Sequence, residues 1–332
     1  METLPFKYLG VPLSSRKLSI HQCLPLVERI TNRIKCWTSK LLSYSGRLQL
    51  IKSILFEMQT YWGHVFIIPK KIIQLVNAVC RIFLWTGNYN PSKRALIAWE
   101  RICMPTSARG LNVISFEWWN KAAICKMMWA IHMKKDALWI KWIHAMYIKK
   151  EDFTVMQTPR QASWLVKKIF DIRDWYKKIE TVANMDKFCV IHKMYTLSRP
   201  QYLKVEWKAL TLGNGIPRHN FVLWLALNHR LTTVNRLAKW GIQVDQDCIG
   251  TWLEEVAWMS KRARSGRAQN NILVFLFAAV TYQVWTERNM RRFQGKEKEA
   301  ERKIRDIVLQ IQIKGQQNAK WKKRLEQLNS FP

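Results

Sequence analysis

Acidic residues are scarce in this chain, and their scarcity bears on its class. The 332 residues include 23 Asp plus Glu against 55 Lys plus Arg, a formal net charge of +32. Such an excess is typical of proteins that meet a polyanion, and a neutral metabolic enzyme has no physical need for it. Because the positive residues lie along the whole chain, they favour an extended nucleic-acid track over a single localisation signal. A membrane surface is the weaker alternative.

Paired cysteines are missing, although the chain has seven cysteines. They stand at positions 23, 36, 80, 103, 125, 189 and 248 and never form a Cys-x-x-Cys pair. An odd and dispersed set supports neither a disulfide framework nor a zinc knuckle, and it indicates reduced thiols. The first residues include no apolar segment typical of a secretory signal. We therefore expect a nuclear or cytoplasmic protein that is not secreted.

Long apolar runs are missing as well. The best membrane candidate, Ile272 to Val280, has nine apolar residues, whereas a helix needs about 20 to cross a bilayer. Gly and Pro are few, at 12 and 10, and 48% of the residues are hydrophobic. This composition excludes a disordered tail, and it predicts a chain that buries apolar cores and has no membrane partner.

The signatures of common catalytic sites do not occur. Polymerase chemistry needs carboxylates that hold two divalent ions between the attacking hydroxyl and the leaving phosphate, yet the chain has no Asp-Asp pair. Asp245 with Asp247, and Asp171 with Asp174, are interpreted as surface carboxylates. There is no Gly-x-Ser-x-Gly elbow, no phosphate-binding Gly loop and no His-Glu-x-x-His. We therefore expect no catalytic residue, no magnesium site and no enzyme activity from this chain alone.

Tryptophan, by contrast, is abundant. The chain has 18 Trp, several times the ordinary usage. A Trp beside Arg or Lys can stack on a nucleobase. Most of these Trp nevertheless recur with Leu and Ile at helical spacing, so core packing is the preferred interpretation.

Apolar residues three or four apart predict a mainly α protein. Ser19 stands at the N-cap position of the first stripe, which runs from Ile20 to Trp37. Further helices are predicted at 43–61, 70–85, 115–149, 162–179 and 220–240, with a charged, mostly solvated terminal helix within 296–328. Three other predictions are a short strand or hairpin arm at 6–13, a turn at 108–112 and an extended or irregular segment at 188–195. The basic segment 261–267 is predicted as an exposed linker.

Three stretches of the first half resemble one known family. They are LPFKYLGVPLSSRKLS at 4–19, PLVERITNRIKCWTSKLLSYSGRLQLIKSIL at 25–55 and FLWTGNYNPSKRALIAWERICMPTSARGLNVISFEWWNKAAICKMMWAI at 83–131. They resemble the part of plant LINE-type (non-LTR) retrotransposon reverse transcriptases that follows the catalytic strands. The resemblance implies a primer-grip-like arm at 1–18, with minor β structure, and a helical thumb-like bundle at 19–150. Thumb helices of that family lie along a nucleic-acid duplex.

A block in the second half, VEWKALTLGNGIPRHNFVLWLALNHRLTTVNRLAKWGI, resembles the reverse-transcriptase zinc-binding domain of the same family. There, a Cys-x-x-Cys pair and later His and Cys ligands make a tetrahedral zinc site. In this chain Cys248 stands alone and no His follows it, before the family-like AAVTYQVWTERNMRRFQG at 278–295. We therefore predict a smaller, mostly helical degenerate domain at 160–248 without zinc, in which Cys248 is a vestigial ligand. A basic linker and helical tail follow at 249–332.

The residues and the resemblance lead to one preferred function and one alternative. The preferred function is that of a retrotransposon-derived reverse transcriptase fragment, without the catalytic palm, that binds RNA or DNA nonspecifically. The candidate contacts are Lys7, Tyr8, Arg47, Lys52, Arg218, His219, Lys261, Arg262, Arg264 and Arg267. The positive side chains among them would contact phosphates, and phosphate contacts carry no information about base sequence. For His219 a helix-cap or surface role stays open. The alternative is a non-functional pseudogene product, or a structural or interaction module, with no nucleic-acid role.

Overall fold

The computed structural model describes residues 7–8, 11–12, 17–38, 42–92, 94–149, 151–153, 155–183, 190–211, 215–231, 252–265 and 267–325. This part of the chain is mainly α, as the apolar periodicity predicts. Strand β1 (Lys7–Tyr8) pairs antiparallel with β2 (Val11–Pro12), and Tyr8 lies opposite Val11. The predicted hairpin arm is therefore confirmed.

Helices make up most of the described chain. They are α1 (Ile20–Thr38), α2 (Tyr44–Leu50), α3 (Phe56–Val65), α4 (Lys70–Thr86), α5 (Trp99–Cys103), α6 (Phe116–His132), α7 (Leu138–Ile143), α8 (Trp164–Asp171), α9 (Arg173–Ala183), α10 (Ile191–Ser198), α11 (Lys208–Thr211), α12 (Pro217–Leu227), α13 (Trp252–Ala263), α14 (Ala268–Gln294), α15 (Ala300–Gln316) and α16 (Ala319–Leu325). A π-helical turn, Ile51–Leu55, joins α2 to α3, and another, His144–Ile148, follows α7. A 3₁₀ turn, Thr106–Ala108, follows α5.

The chain folds into two compact units. The first unit contains Met1–Leu41, Arg47–Ala95 and Val113–Gln201, and the second contains Leu42–Gly46, Leu96–Asn112 and Tyr202–Pro332. Each unit is therefore assembled from segments that are far apart in sequence. The predicted division at 1–18, 19–150, 160–248 and 249–332 stays a prediction.

Local signals set two of the helix ends. Ser19 N donates to Gln22 Oε1 at 2.9 Å and Ser19 Oγ accepts from Gln22 N at 3.2 Å, which is a capping box at the start of α1. Helix α4 ends at Gly87, whose φ of +73° is left-handed, and Gly87 N donates to Phe83 O at 2.9 Å. Glycine adopts this conformation without a Cβ clash. The N-cap predicted at Ser19 and the helix predicted at 70–85 are both confirmed.

The core of the first unit is built around α6. Trp119 is buried there and lies edge-on to Phe56, with 5.0 Å between the ring centroids. Tyr195 of α10 lies 5.7 Å from the same indole. Its hydroxyl also accepts a hydrogen bond from Ser115 N at 2.9 Å, at the start of α6. Aromatic contacts of this kind supply large buried apolar area, so core packing is confirmed for Trp119.

A buried amide connects α6 to the end of α3. The Asn120 side chain is 4% exposed, and its Oδ1 accepts from Ile68 N at 3.0 Å. Its Nδ2 donates to Gly63 O at 2.8 Å and to Phe66 O at 2.7 Å. The last carbonyls of a helix have no partner within the helix, so Asn120 satisfies groups that the end of α3 would leave unpaired.

The core of the second unit lies around α14. Leu223 and Leu227 of α12 pack with Val256 of α13 against Val274 and Ala278 of α14. A neighbouring cluster joins α14 to α15 and α16 through Phe275, Ala279, Ile307, Ile311, Trp321 and Leu325. Ile307 and Ile311 are buried, whereas Ile304, Leu309 and Ile313 are exposed, so the terminal helix predicted as mostly solvated packs one face against α14 and leaves the other in solvent.

Two predicted helices are each interrupted. The region 115–149 breaks at 133–137, between α6 and α7, where Lys134 adopts a φ of +46°. The region 162–179 consists of α8 and α9, which meet at Ile172. Apolar spacing alone does not mark these breaks, because both flanking helices contribute residues to one core.

Other predicted boundaries are wrong for reasons of tertiary packing. The segment 188–195, predicted as extended or irregular, is helical from Ile191, because Met194 and Tyr195 are buried against α6. Residues 188–189 are not among the described residues. The basic segment 261–267 is not a linker throughout, since Lys261 to Ala263 form the last turn of α13. The helix predicted at 220–240 begins earlier, at Pro217, and ends at Leu227. Residues 232–240 lie outside the described part of the chain. The predicted turn at 108–112 is confirmed, with Arg109 at a φ of +71°.

Candidate nucleic-acid interface

The candidate contacts of the first unit are Lys7 and Tyr8 of the hairpin arm, Arg47 and Lys52. Lys7 and Tyr8 form β1, and their part in nucleic-acid contact stays a prediction. Arg47 is half-buried, and its Nη1 donates to Leu84 O at 3.2 Å in the last turn of α4. A Cβ placed on Gly87 would lie 2.7 Å from the same guanidinium. A cation at this end of a helix is stabilised by the helix dipole, so Arg47 has a structural role.

Lys52 lies on the π-helical turn between α2 and α3 and is also half-buried. Burial lowers the pKa of its ammonium group, because desolvation disfavours the charged form. Its nucleic-acid role stays a prediction, but the surroundings of Lys52 are less open than those of a solvated surface lysine.

The basic residues of 261–267 stand where α13 ends and α14 begins. Lys261, Arg264 and Arg267 are exposed, and Arg267 is the N-cap residue of α14. Arg264 Nη2 donates to Glu206 O at 3.3 Å. The start of a helix carries partial positive charge, so the three cations and the α14 N-terminus together make a strongly positive corner of the second unit. We call these three residues the basic corner.

Arg262, in the same segment, is paired with an aromatic ring. Its guanidinium lies 3.5 Å from the centroid of the Trp258 indole, which is 50% exposed. The i,i+4 spacing of Trp258 and Arg262 places them on one face of α13. A stacked pair of this kind is open to a further flat group. Trp258 is not among the contacts predicted from the sequence, although its i,i+4 spacing from Arg262 is visible there and indicates that the two side chains share a helix face.

Arg218 and His219 stand side by side in sequence, but the structure separates their side chains. Arg218 is exposed in the first turn of α12, and its guanidinium lies 5.4 Å from the centroid of the Tyr282 ring. His219 is 0% exposed and lies 4.5 Å from the same ring, between centroids. The predicted phosphate contact of His219 is therefore corrected, because its ring points into the protein interior.

The alternative roles considered for His219 are corrected as well. The N-cap of α12 is Ile216, without a side-chain cap, and a fully buried ring is not a surface group. Within the described residues neither ring nitrogen of His219 has a hydrogen-bond partner. Burial, with a smaller effect of the Arg218 charge, lowers the pKa of His219 to about 4. The imidazole is therefore neutral at neutral pH.

The histidines and cysteines do not make a metal site in the part of the chain that the structure describes. No group of three or more His, Cys, Asp or Glu side chains that could hold a metal ion occurs there. His192 packs against the Trp119 ring and His219 against Tyr282. A tetrahedral zinc site needs four such ligands close together, and the predicted loss of zinc stays a prediction. Cys248 lies outside the described residues, so its vestigial role stays a prediction.

Across the described helices, none is long and apolar enough to pass through a lipid bilayer. The predicted lack of a membrane partner remains an expectation from the sequence.

Comparison with known proteins relates part of the chain to reverse transcriptases. Residues 190–256 match the family described as zinc-binding in reverse transcriptase, and this segment runs from α10 into α13. A protein of Arabidopsis thaliana named as a ribonuclease H protein is 27% identical over 158 residues. That match covers 48% of this chain and 24% of the relative, so the chain spans about a quarter of the relative's length. No solved structure matches. Both similarities support the retrotransposon-related origin that the sequence resemblance implies.

Proposed function

We propose that this chain is a fragment of a plant LINE-type (non-LTR) retrotransposon reverse transcriptase, without the catalytic palm, that binds RNA or DNA nonspecifically. The reverse-transcriptase match at 190–256 and the ribonuclease H relative support the retroelement part of the proposal. The missing Asp-Asp pair supports the lack of polymerase activity, and the single cysteine at Cys248 supports the loss of zinc. A nuclear or cytoplasmic location fits a protein that works on nucleic acid.

The observation that carries the binding proposal is the basic corner. Lys261, Arg264 and Arg267 are exposed, and among the described residues none of the three is paired with a carboxylate. Three exposed cations without carboxylate partners, close to a helix N-terminus, present positive charge that an anion can neutralise. A nucleic-acid backbone supplies such anions at regular spacing, and its binding releases condensed counterions.

Salt dependence tests this mechanism. Fluorescence anisotropy would measure the affinity for a labelled duplex between about 50 and 200 mM salt. Over this range, a protein that makes about six phosphate contacts loses roughly a thousandfold in affinity. In the triple variant Lys261→Gln, Arg264→Gln, Arg267→Gln, we expect weaker binding and a slope of log K against log salt that is shallower by about 2 to 3.

A matched control removes the same charge elsewhere in the second unit. Arg302→Gln, Lys320→Gln, Lys322→Gln changes three exposed cations of α15 and α16 and should leave most of the slope of log K against log salt unchanged. The binding proposal fails if the wild-type chain has no affinity for duplex or single strand at low salt. The assignment to the basic corner fails if the control triple lowers the slope as much as the first.

An interaction module or a non-functional product is the second candidate. Several apolar side chains are strongly exposed, among them Leu138, Leu203 and Leu253, and exposed apolar surface often marks a missing partner. A cooperative thermal melt of a soluble chain with no nucleic-acid affinity would favour the module. An aggregating product without a cooperative melt would favour the non-functional alternative. Primer extension and elemental analysis on the purified chain should show no nucleotide incorporation and no stoichiometric zinc.

A further inference from the structure

A cleft in the second unit brings together aromatic rings and an exposed cation. It lies between α12 and α14, beside residues 43–45, and has a volume of about 330 Å³. The rings that line it belong to Tyr44, Phe221, Tyr282, Trp285 and Phe293, and Arg218 stands among them. The volume lies at the small end of the range for small-molecule sites, about 300 to 1,000 Å³. We call this site the aromatic cleft.

The rings of the aromatic cleft already stack on flat groups within the protein. Tyr44 lies nearly parallel to Phe221, with an angle of 11° between the rings and 5.5 Å between their centroids. The Arg218 guanidinium lies over the Tyr282 ring. These contacts hold several π faces in place before any ligand arrives, and pre-organisation lowers the entropic cost of binding.

The aromatic cleft is open to solvent, which distinguishes it from the core. Tyr44 is 39% exposed and Phe293 is 74% exposed. The cleft also carries polar side chains that can donate and accept hydrogen bonds, including Asn289 and Gln294. Within the described part of the chain, neither of these two amides makes a side-chain hydrogen bond. The cleft therefore offers flat apolar faces for stacking and amide groups for the polar edge of a ligand.

We propose that the aromatic cleft binds one unpaired base of a single-stranded nucleic acid. The base would stack on the exposed aromatic rings, its edge would meet the amides of Asn289 and Gln294, and the Arg218 guanidinium would contact an adjacent phosphate. A paired base is already stacked on its neighbours, so the cleft selects single strands over duplexes. This inference rests on the proposed function and adds a strand preference that charge alone does not produce.

The experiment uses the full chain and two forms of one oligonucleotide. A single strand carrying 2-aminopurine at its centre, and the same strand in a duplex, would be titrated at low salt. We expect the wild-type chain to bind the single strand more tightly and to change 2-aminopurine fluorescence, because the probe reports stacking. Phe293→Ala and Trp285→Ala should each weaken single-strand binding by about tenfold and reduce the fluorescence change. Duplex affinity should stay within about twofold.

Trp139→Ala is the matched control, because Trp139 is an exposed tryptophan of α7 outside the cleft. It should leave both affinities unchanged. Arg218→Gln provides a second, exposed change if either aromatic variant fails to melt cooperatively, and it too should weaken single strands more than duplexes.

Several results would overturn the inference and leave the proposed function standing. One such result is that the aromatic variants lose equal affinity for the single strand and the duplex. Another is that the wild type binds with a steep salt dependence but without a change in 2-aminopurine fluorescence. The latter outcome would also be expected if the cleft took a protein segment in place of a base. Absence of any binding by the wild type would overturn the proposed function together with this inference.

Discussion

Asn120→Ala removes the three hydrogen bonds that join α6 to the end of α3. The lost partners are Ile68 N, Gly63 O and Phe66 O, at 3.0, 2.8 and 2.7 Å from the amide atoms of Asn120. A hydrogen bond contributes roughly 1 kcal/mol net, and a buried group left without its partner costs about 1 to 3 kcal/mol. We therefore expect the free energy of unfolding to fall by about 3 kcal/mol.

Urea unfolding followed by far-UV circular dichroism measures this loss. Asn271→Ala is the matched control, because Asn271 is an exposed asparagine on α14, where substitution should change stability by less than about 0.5 kcal/mol. The slope of unfolding free energy against urea concentration should be the same for the wild type and both variants. An equal slope would show that the mutations leave the unfolded state unchanged. If Asn120→Ala costs no more than Asn271→Ala, the three hydrogen bonds do not hold the end of α3 against α6.

Two further predictions concern the second unit. Burial lowers the pKa of His219 from 6.5 to about 4. Between these two pH values the unfolded chain therefore binds more protons than the folded chain. The free energy of unfolding should be highest above pH 6.5 and should decline as the pH falls toward 4. His219→Phe should reduce this decline when melting temperatures at pH 7 and pH 5 are compared, and an unchanged pH dependence would contradict the assignment to His219. A Cβ on Gly110 would lie 1.9 Å from Met104 O, so Gly110→Ala should lower the melting temperature by about 3 °C or more, as overpacking does. Gly46→Ala, whose Cβ would make only ordinary contacts at 3.6 Å, should cause no loss, and equal melting temperatures for the two variants would contradict the clash.

Local chemistry explains why some elements were predictable. Ser19 and Gln22 are three residues apart and form a capping box without help from the rest of the protein. Gly87 ends α4 because it follows an apolar stripe and tolerates a left-handed conformation. Both signals lie within a few residues of the structure that they determine, so the chain order alone reveals them.

The candidate interface was predictable in charge but not in geometry. The excess of Lys and Arg, and the dense segment 261–267, are visible in the residue order. Which cations stay exposed depends on packing, because Arg47 lies against the end of α4 while Lys261, Arg264 and Arg267 remain in solvent. Adjacent residues can also diverge, since a helix places Arg218 outside and His219 inside.

The residue order by itself determined the mainly helical class, the positive charge and the family resemblance, because each is a property of composition or of neighbours along the chain. Tertiary structure alone decided that Ile191 begins a helix and that α14 is covered by α15 and α16. It also placed residues 43–45, Arg218 and Trp285 around one cleft. These outcomes depend on apolar surfaces and polar groups that lie far apart in sequence and compete for burial only when the chain folds.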